Sequence, residues 1–200
     1  GADPKDPHAF HGGDLAGVRA RLDEIQKLGA TWVWLSPVFK SRAEPFFGHG
    51  AYHGYWVNDL SALDPRFGTI DELVALRDAL HARGMKLMLD MVLNHVAFDA
   101  PLTREHPEWF HTLGSIRDFN NLEQIQTGDV HGLPDLAQER TDVYNYLVKQ
   151  SKFWIEQVRP DGFRLDAVRH IPSGFWARYN TDVRAFAGED FVLLGEDLEG

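Results

Sequence analysis

Two hundred residues with 44% hydrophobic and 25% charged side chains suffice for one core burying roughly 70% of the unfolded chain's surface, which excludes disorder. Thirty acidic against twenty basic side chains give a formal charge of −10, so the average field repels nucleic acid and anionic lipid surfaces and favours an uncharged substrate. Zero cysteine removes disulfides, thiolate metal sites and a thiol nucleophile without fixing the compartment; no apolar run reaches the roughly 18 residues of a membrane span, and the opening Gly1 to Pro7 has no hydrophobic signal core.

In chain order, the first predicted helix begins at Asp14. It carries Leu15, Val18, Leu22, Ile25 and Leu28 on one apolar stripe, with Gly29 as a left-handed stop. Strand Thr31 to Val38 follows, then a connection from Phe39 to Asp59 rich in aromatics and histidine. Thr69 and Glu72 have the spacing of a capping box, opening a helix through Leu73, Leu76 and Leu80 to Gly84. Lys86 to Val92 is the next strand. From Val96 to about Ala137, Pro, Gly, Asp and Asn accumulate with little periodicity, which marks a functional insertion. A third helix runs from Asp142 to Val158, and the Pro160-Asp161-Gly162 turn leads into strand Phe163 to Val168. A fourth helix, Ser173 to Ala187, hands over through Gly188 to strand Phe191 to Leu194.

Strands separated by helices run parallel with right-handed crossovers, and apolar runs such as Met85 to Leu93 suit a sheet covered on both faces. Asp90, Asp166 and Glu196 stand at the carboxyl ends of three strands, where (β/α)8 barrels keep their active sites. A doubly wound sheet would call for a glycine-rich phosphate loop, and the sequence has no G-x-G-x-x-G. The expected fold is therefore α/β, a partial TIM barrel. Residues 1–95 and 138–200 would be barrel parts, and 96–137 a small excursion domain. Eight strands and typically ~250 residues complete such a barrel, so its remainder is expected outside these residues.

Arg164 and Asp166, two apart on a strand, project on one face, where a guanidinium beside a carboxylate holds it ionised. An ionised carboxylate near a second, protonated carboxyl group is what glycoside cleavage requires. A buried structural ion pair is the plainer reading of Arg164 and Asp166. A metal-dependent hydrolase built on Asp90, Asn94 and His95 is disfavoured, because one strand supplies too few ligands.

The segments Asp90-Met91-Val92-Leu93-Asn94-His95, Leu133-Pro134-Asp135-Leu136, Gly162 to His170 and Gly195-Glu196-Asp197 resemble the signature segments of the α-amylase family, glycoside hydrolase family 13. Ala51-Tyr52-His53-Gly54-Tyr55-Trp56 resembles its aromatic loop after the second barrel strand. The resemblance runs from about Phe10 to the last residue. It implies a retaining glycosidase on α-linked glucans or maltooligosaccharides, with Asp166 as nucleophile oriented by Arg164, and Glu196 as general acid and then base. His95 would hydrogen-bond and Tyr55 stack on the sugar being cleaved, with His53 and Trp56 beside them. Arg169 and His170 would reach the leaving-group side, and Asp90 would support Arg164. It further implies a structural calcium ion held by the side chains of Asn94 and Asp135 and the carbonyl of His170, a hard-oxygen set that suits the ion. Asp197-Leu198-Glu199 departs from the family, which places apolar or aromatic residues there. The family's His-Asp pair that stabilises the transition state should follow Gly200, so these residues alone are expected to be nearly inactive. A glucanotransferase of the same family and a non-catalytic glucan-binding relative are the competing readings.

Overall fold

The computed structural model describes residues 5–6, 8–46 and 48–197; Leu198 and Glu199, which the family comparison singles out, lie outside them. Four strands, β1 (Trp32–Leu35), β4 (Lys86–Met91), β5 (Gly162–Leu165) and β6 (Val192–Gly195), form a parallel sheet in the order β1-β4-β5-β6. Strand order that follows chain order, with a helical layer crossing between neighbours, is the winding of a barrel wall. The sheet is open, with β1 and β6 as its edges, so the expected partial barrel is the observed one.

The stripe from Leu15 to Leu28 makes two short helices, α1 (Leu15–Ala20) and α2 (Leu22–Lys27), rather than one. The break is at Arg21, whose backbone leaves the helical region at φ −108°, ψ 10°. Its side chain instead serves Glu24 at 2.5 Å. Asp14 caps α1 by accepting from the Gly17 N–H at 2.6 Å. Helix α3 (Ile70–His81) opens on the reciprocal Thr69–Glu72 box that the sequence spacing predicts.

The aromatic connection is more ordered than its sequence suggests, for β2 (Phe39–Ser41) and β3 (Val57–Leu63) pair as an antiparallel ribbon. Gly54 folds the loop between them back onto the link from β1 to β2: at φ +87°, an added Cβ would lie 2.5 Å from the Pro37 carbonyl oxygen, so only glycine allows that approach. The excursion holds α4 (Leu102–Glu105), α5 (Leu122–Thr127) and two single 3₁₀ turns, tied together by isolated bridges. Helices α6 (Thr141–Val158) and α7 (Ser173–Ala187) then pack on each other, and α6 also packs against α3 and β3.

Leu73, Leu76 and Leu80 of α3, Leu87 and Leu89 of β4, Leu147 and Trp154 of α6, Phe163 of β5 and Tyr179 of α7 share one buried cluster. Its polar atoms are paired: Trp154 donates to the Leu60 carbonyl at 2.7 Å, and Tyr179 donates to Ser151 Oγ at 2.8 Å. No helix among the described residues is long and apolar enough to cross a membrane.

Candidate active site

The register of the sheet builds the site. Asp90 of β4 stands opposite Arg164 of β5, and neighbours in register on one face bring their side chains together. The ladder runs past the formal strand ends: the Asp166 N–H donates to the Met91 carbonyl at 3.1 Å, and the Glu196 N–H to the Leu165 carbonyl at 2.9 Å. Strand β5 then stops, because Ala167 turns left-handed at φ 50°. That turn aims the Ala167 N–H at Glu196 Oε2, 3.2 Å away.

One guanidinium joins three acids. Arg164 Nη1 lies 2.9 Å from Asp90 Oδ2 and 2.6 Å from Asp166 Oδ1, and Nη2 lies 2.5 Å from Glu196 Oε1. Asp90 Oδ2 also accepts from Trp34 Nε1 at 3.1 Å and from the Tyr55 hydroxyl at 3.2 Å. Burial pushes the Asp90 carboxyl up to about 7 against the pull of Arg164, and it raises Asp166 to about 6, again against Arg164 and with Glu196 adding to the rise. Arg164 thus moderates the desolvation of Asp166 without overcoming it. Burial also holds the Tyr55 phenol protonated, well above its ordinary range.

These groups floor a cleft of about 950 Å³, whose lining includes Tyr55, Arg164, Asp166 and Glu196, a volume ordinary for a ligand site. His53, Trp56, His95, Arg169 and His170 line it as well, so every predicted substrate-side residue borders one cavity except Asp90, which sits beneath it. The His53 ring stacks on Tyr55 with centroids 5.9 Å apart and meets Trp56 edge-on at 4.9 Å. His95 is less available than its sequence position suggests: Nε2 is 3.1 Å from the Tyr55 carbonyl, and Nδ1 faces the Asn94 amide at 3.4 Å. Burial lowers it to about 4, so the ring is neutral near pH 7.

Sequence reasoning missed several neighbours. Phe119, half exposed, and Asn120 enter the cleft from the excursion, beside Val130, His131 and Leu133. Trp34 sits under Arg164, whose guanidinium carbon is 5.1 Å from the ring centroid. The Trp-x-Trp alternation of β1 placed Trp34 on the acid face, but nothing in it named the partner.

A second polar cluster joins β4 to the excursion. A bridge pairs His95 with Asp135, and the Leu136 N–H donates to the Asn94 carbonyl at 2.9 Å. Asn94 and Asp135 are fully buried, yet Asn94 Oδ1 and Asp135 Oδ1 have no hydrogen-bond donor. The other Asp135 oxygen is 2.7 Å from His111 Nδ1. Burial raises Asp135 to about 7, and its hydrogen bond raises His111. His170 Nδ1 is likewise buried without a partner. Among the described residues no three His, Cys, Asp or Glu side chains converge as a metal cluster, so any ion here would rest on amide and carbonyl oxygens as well.

The acid-rich rim of a parallel barrel wall defines a class, and comparison with known proteins names the family. Residues 3–196 match the catalytic domain of α-amylase, and the chain belongs to the α-amylase family. It is similar to a solved α-amylase of Geobacillus thermoleovorans complexed with acarbose, 43% identical with a TM-score of 0.91, over 98% of this chain and 43% of that one. Among curated relatives, an α-amylase of Streptomyces lividans is 30% identical over 98% of this chain and 28% of its own length. A cyclomaltodextrin glucanotransferase of Klebsiella oxytoca is 30% identical over 97% of this chain and 33% of its own. The chain thus spans about a third of these curated relatives.

Proposed function

We propose that these residues form the nucleophile and acid/base half of a retaining glycosidase acting on α-glucosidic bonds of starch-type glucans or maltooligosaccharides. The observation that carries the reading is one guanidinium gripping Asp166 and Glu196 together at the floor of an aromatic-walled cleft. Asp166 attacks the anomeric carbon and the glycosidic bond breaks as Glu196 gives its proton to the leaving oxygen. Glu196, now a carboxylate, takes a proton from the incoming water, which opens the glycosyl ester with a second inversion and so net retention. Arg164 holds both carboxyl groups in register, and Asp90, Trp34 and Tyr55 hold Arg164. Tyr55 and Trp56 present rings to the apolar faces of sugars. His95, with Nε2 on the Tyr55 carbonyl and Nδ1 facing the Asn94 amide, borders the sugar as a neutral ring held in place at both nitrogens. Arg169 and His170 border the side of the leaving group.

The same ester can pass to a second sugar. Phe119, an exposed ring at the rim of the cleft, favours a bound acceptor there, so glucanotransfer is the companion reading. A purely glucan-binding protein has no use for both Asp166 and Glu196.

Calcium is the metal we assign. Asn94 Oδ1 and Asp135 Oδ1, buried acceptors lacking donors, fit a hard cation, and with the His170 carbonyl they would hold it. The ion would supply structural charge neutralisation, fastening the excursion to β4.

Incubating the intact protein with maltoheptaose and following the first product by proton NMR tests the reaction. α-Anomeric product is expected. β-Anomeric product, or binding without turnover, rejects the mechanism.

A further inference from the structure

Buried oxygen ligands need orienting, and the structure contains a device for it. His111 is bound to Asp135 twice: its backbone N–H donates to the Asp135 carbonyl at 2.9 Å, and its Nδ1 meets Asp135 Oδ2 at 2.7 Å. The opposite ring nitrogen, Nε2, is 3.1 Å from Glu139 Oε1, just ahead of α6. The ring is thus fixed at both ends and has no freedom to turn. The Asp135 N–H is in turn held by Asp129 Oδ1 at 3.2 Å. Every polar atom of Asp135 is taken except Oδ1, and Oδ1 is the atom left without a donor alongside Asn94 Oδ1.

We propose that His111 is a positioning residue for the cation: by engaging Oδ2 of Asp135 it presents Oδ1, and Glu139 and α6 set the angle of the ring. The proposal rests on the calcium reading given above. Neighbours that orient a metal's ligands typically change affinity 10–100-fold when replaced. His111 lies in an excursion with little periodicity and outside every signature segment, so its sequence position gives no hint of the part.

Isothermal titration of the chelator-treated protein with calcium provides the test, run on wild type, D135A, H111N and H111Q, with the Tm of each calcium-free protein measured alongside. The H111N amide reaches the Nδ1 position and retains the Asp135 contact, whereas the H111Q amide reaches the Nε2 position and serves Glu139 alone. Calcium affinity is expected to fall about 10–100-fold in H111Q and to stay within about 3-fold of wild type in H111N. A merely structural histidine would lower the calcium-free Tm of both variants and leave both affinities unchanged, and that result overturns the proposal. Should H111Q fail to fold, H111L replaces it with the same expectation. Wild type that binds no calcium, or D135A that binds it as wild type does, refutes the calcium reading and this proposal together. Binding lost in D135A but intact in H111Q refutes this proposal alone.

Discussion

At the ends of β4, β5 and β6, Asp90, Asp166 and Glu196 close around a single guanidinium, whereas at the boundary with the excursion Asn94 and Asp135 keep oxygens that meet no donor. Both clusters are buried, and burial of a polar group costs free energy unless something compensates. The first is compensated from within: Asp90 Oδ2 alone takes a Trp34, a Tyr55 and an Arg164 donor. Burial raises the Asp90 and Asp166 carboxyls, and the surplus of three acids over one base adds to the rise. The second cluster has no such base facing its free oxygens. The buried acceptor pair can be compensated only from outside the chain, whereas the first cluster is satisfied by the chain's own groups.

The largest effect should come from the self-satisfied cluster. On the mechanism proposed above, D166N in the intact protein removes the attacking oxygen and E196Q the proton, and each is expected to lower kcat by roughly 10³-fold or more, since reacting groups that act as a unit fail together. Maltooligosaccharide binding, measured calorimetrically, should persist in both. Turnover in D166N within tenfold of wild type would mean the nucleophile lies elsewhere.

Next in size is the response of the open cluster to calcium. Ligand at about 100 times its Kd stabilises the folded state by about 2.7 kcal/mol, which for a chain of this length is a rise in Tm of roughly 5–10 °C. Scanning calorimetry with and without chelator should show that rise in wild type and none in D135A. D90N, in the other cluster, should keep the full calcium response.

How much of this was legible beforehand follows from the physics of each part. The acids at strand ends were, because a strand's period of two fixes which side chains share a face, and Arg164 and Asp166 do meet. Helices α3 and α7 were, because the Thr69–Glu72 box and the stop at Gly188 are local signals. The break at Arg21 was not, since an apolar stripe persists across a kink that leaves its phase nearly unchanged. The β2–β3 ribbon was hidden because its register shifts twice within three residues, which scrambles alternation. Trp34 and His111 reach the clusters through hydrogen bonds to residues 56 and 24 positions away, and Phe119 enters the cleft from the excursion. Local sequence carries no trace of such pairings.

The pH dependence sharpens the contrast at a smaller scale. A carboxyl raised above its unfolded value binds its proton more tightly when folded, so Asp90 and Asp166 contribute stability that is full below about pH 4 and is lost as pH climbs through about 6 to 7. Each such group gives a slope of about 1.4 kcal/mol per pH unit where it is protonated only in the folded chain. Urea titrations in calcium between pH 4 and 7 should show a falling stability that D90N flattens. Catalysis has the opposite sign. The nucleophile must be ionised, so kcat/KM should drop as pH falls through about 6, the value to which burial raises Asp166. An acid limb near 4 would mean that Arg164 dominates burial.

The smallest expected effect isolates redundancy within the self-satisfied cluster. In W34F the aromatic face under Arg164 persists, and only the indole donor to Asp90 Oδ2 is lost. Asp90 retains Tyr55 and Arg164 as donors, so the change is one hydrogen bond out of three rather than an orphaned charge, worth about 1 kcal/mol. The expectation is a fall in kcat/KM of about 5-fold with KM nearly constant, because Trp34 is not among the residues lining the cleft and acts through Asp90, which in turn holds Arg164. A fall approaching that of D166N would show that the three donors act as a single unit, with the cluster dependent on each of its members.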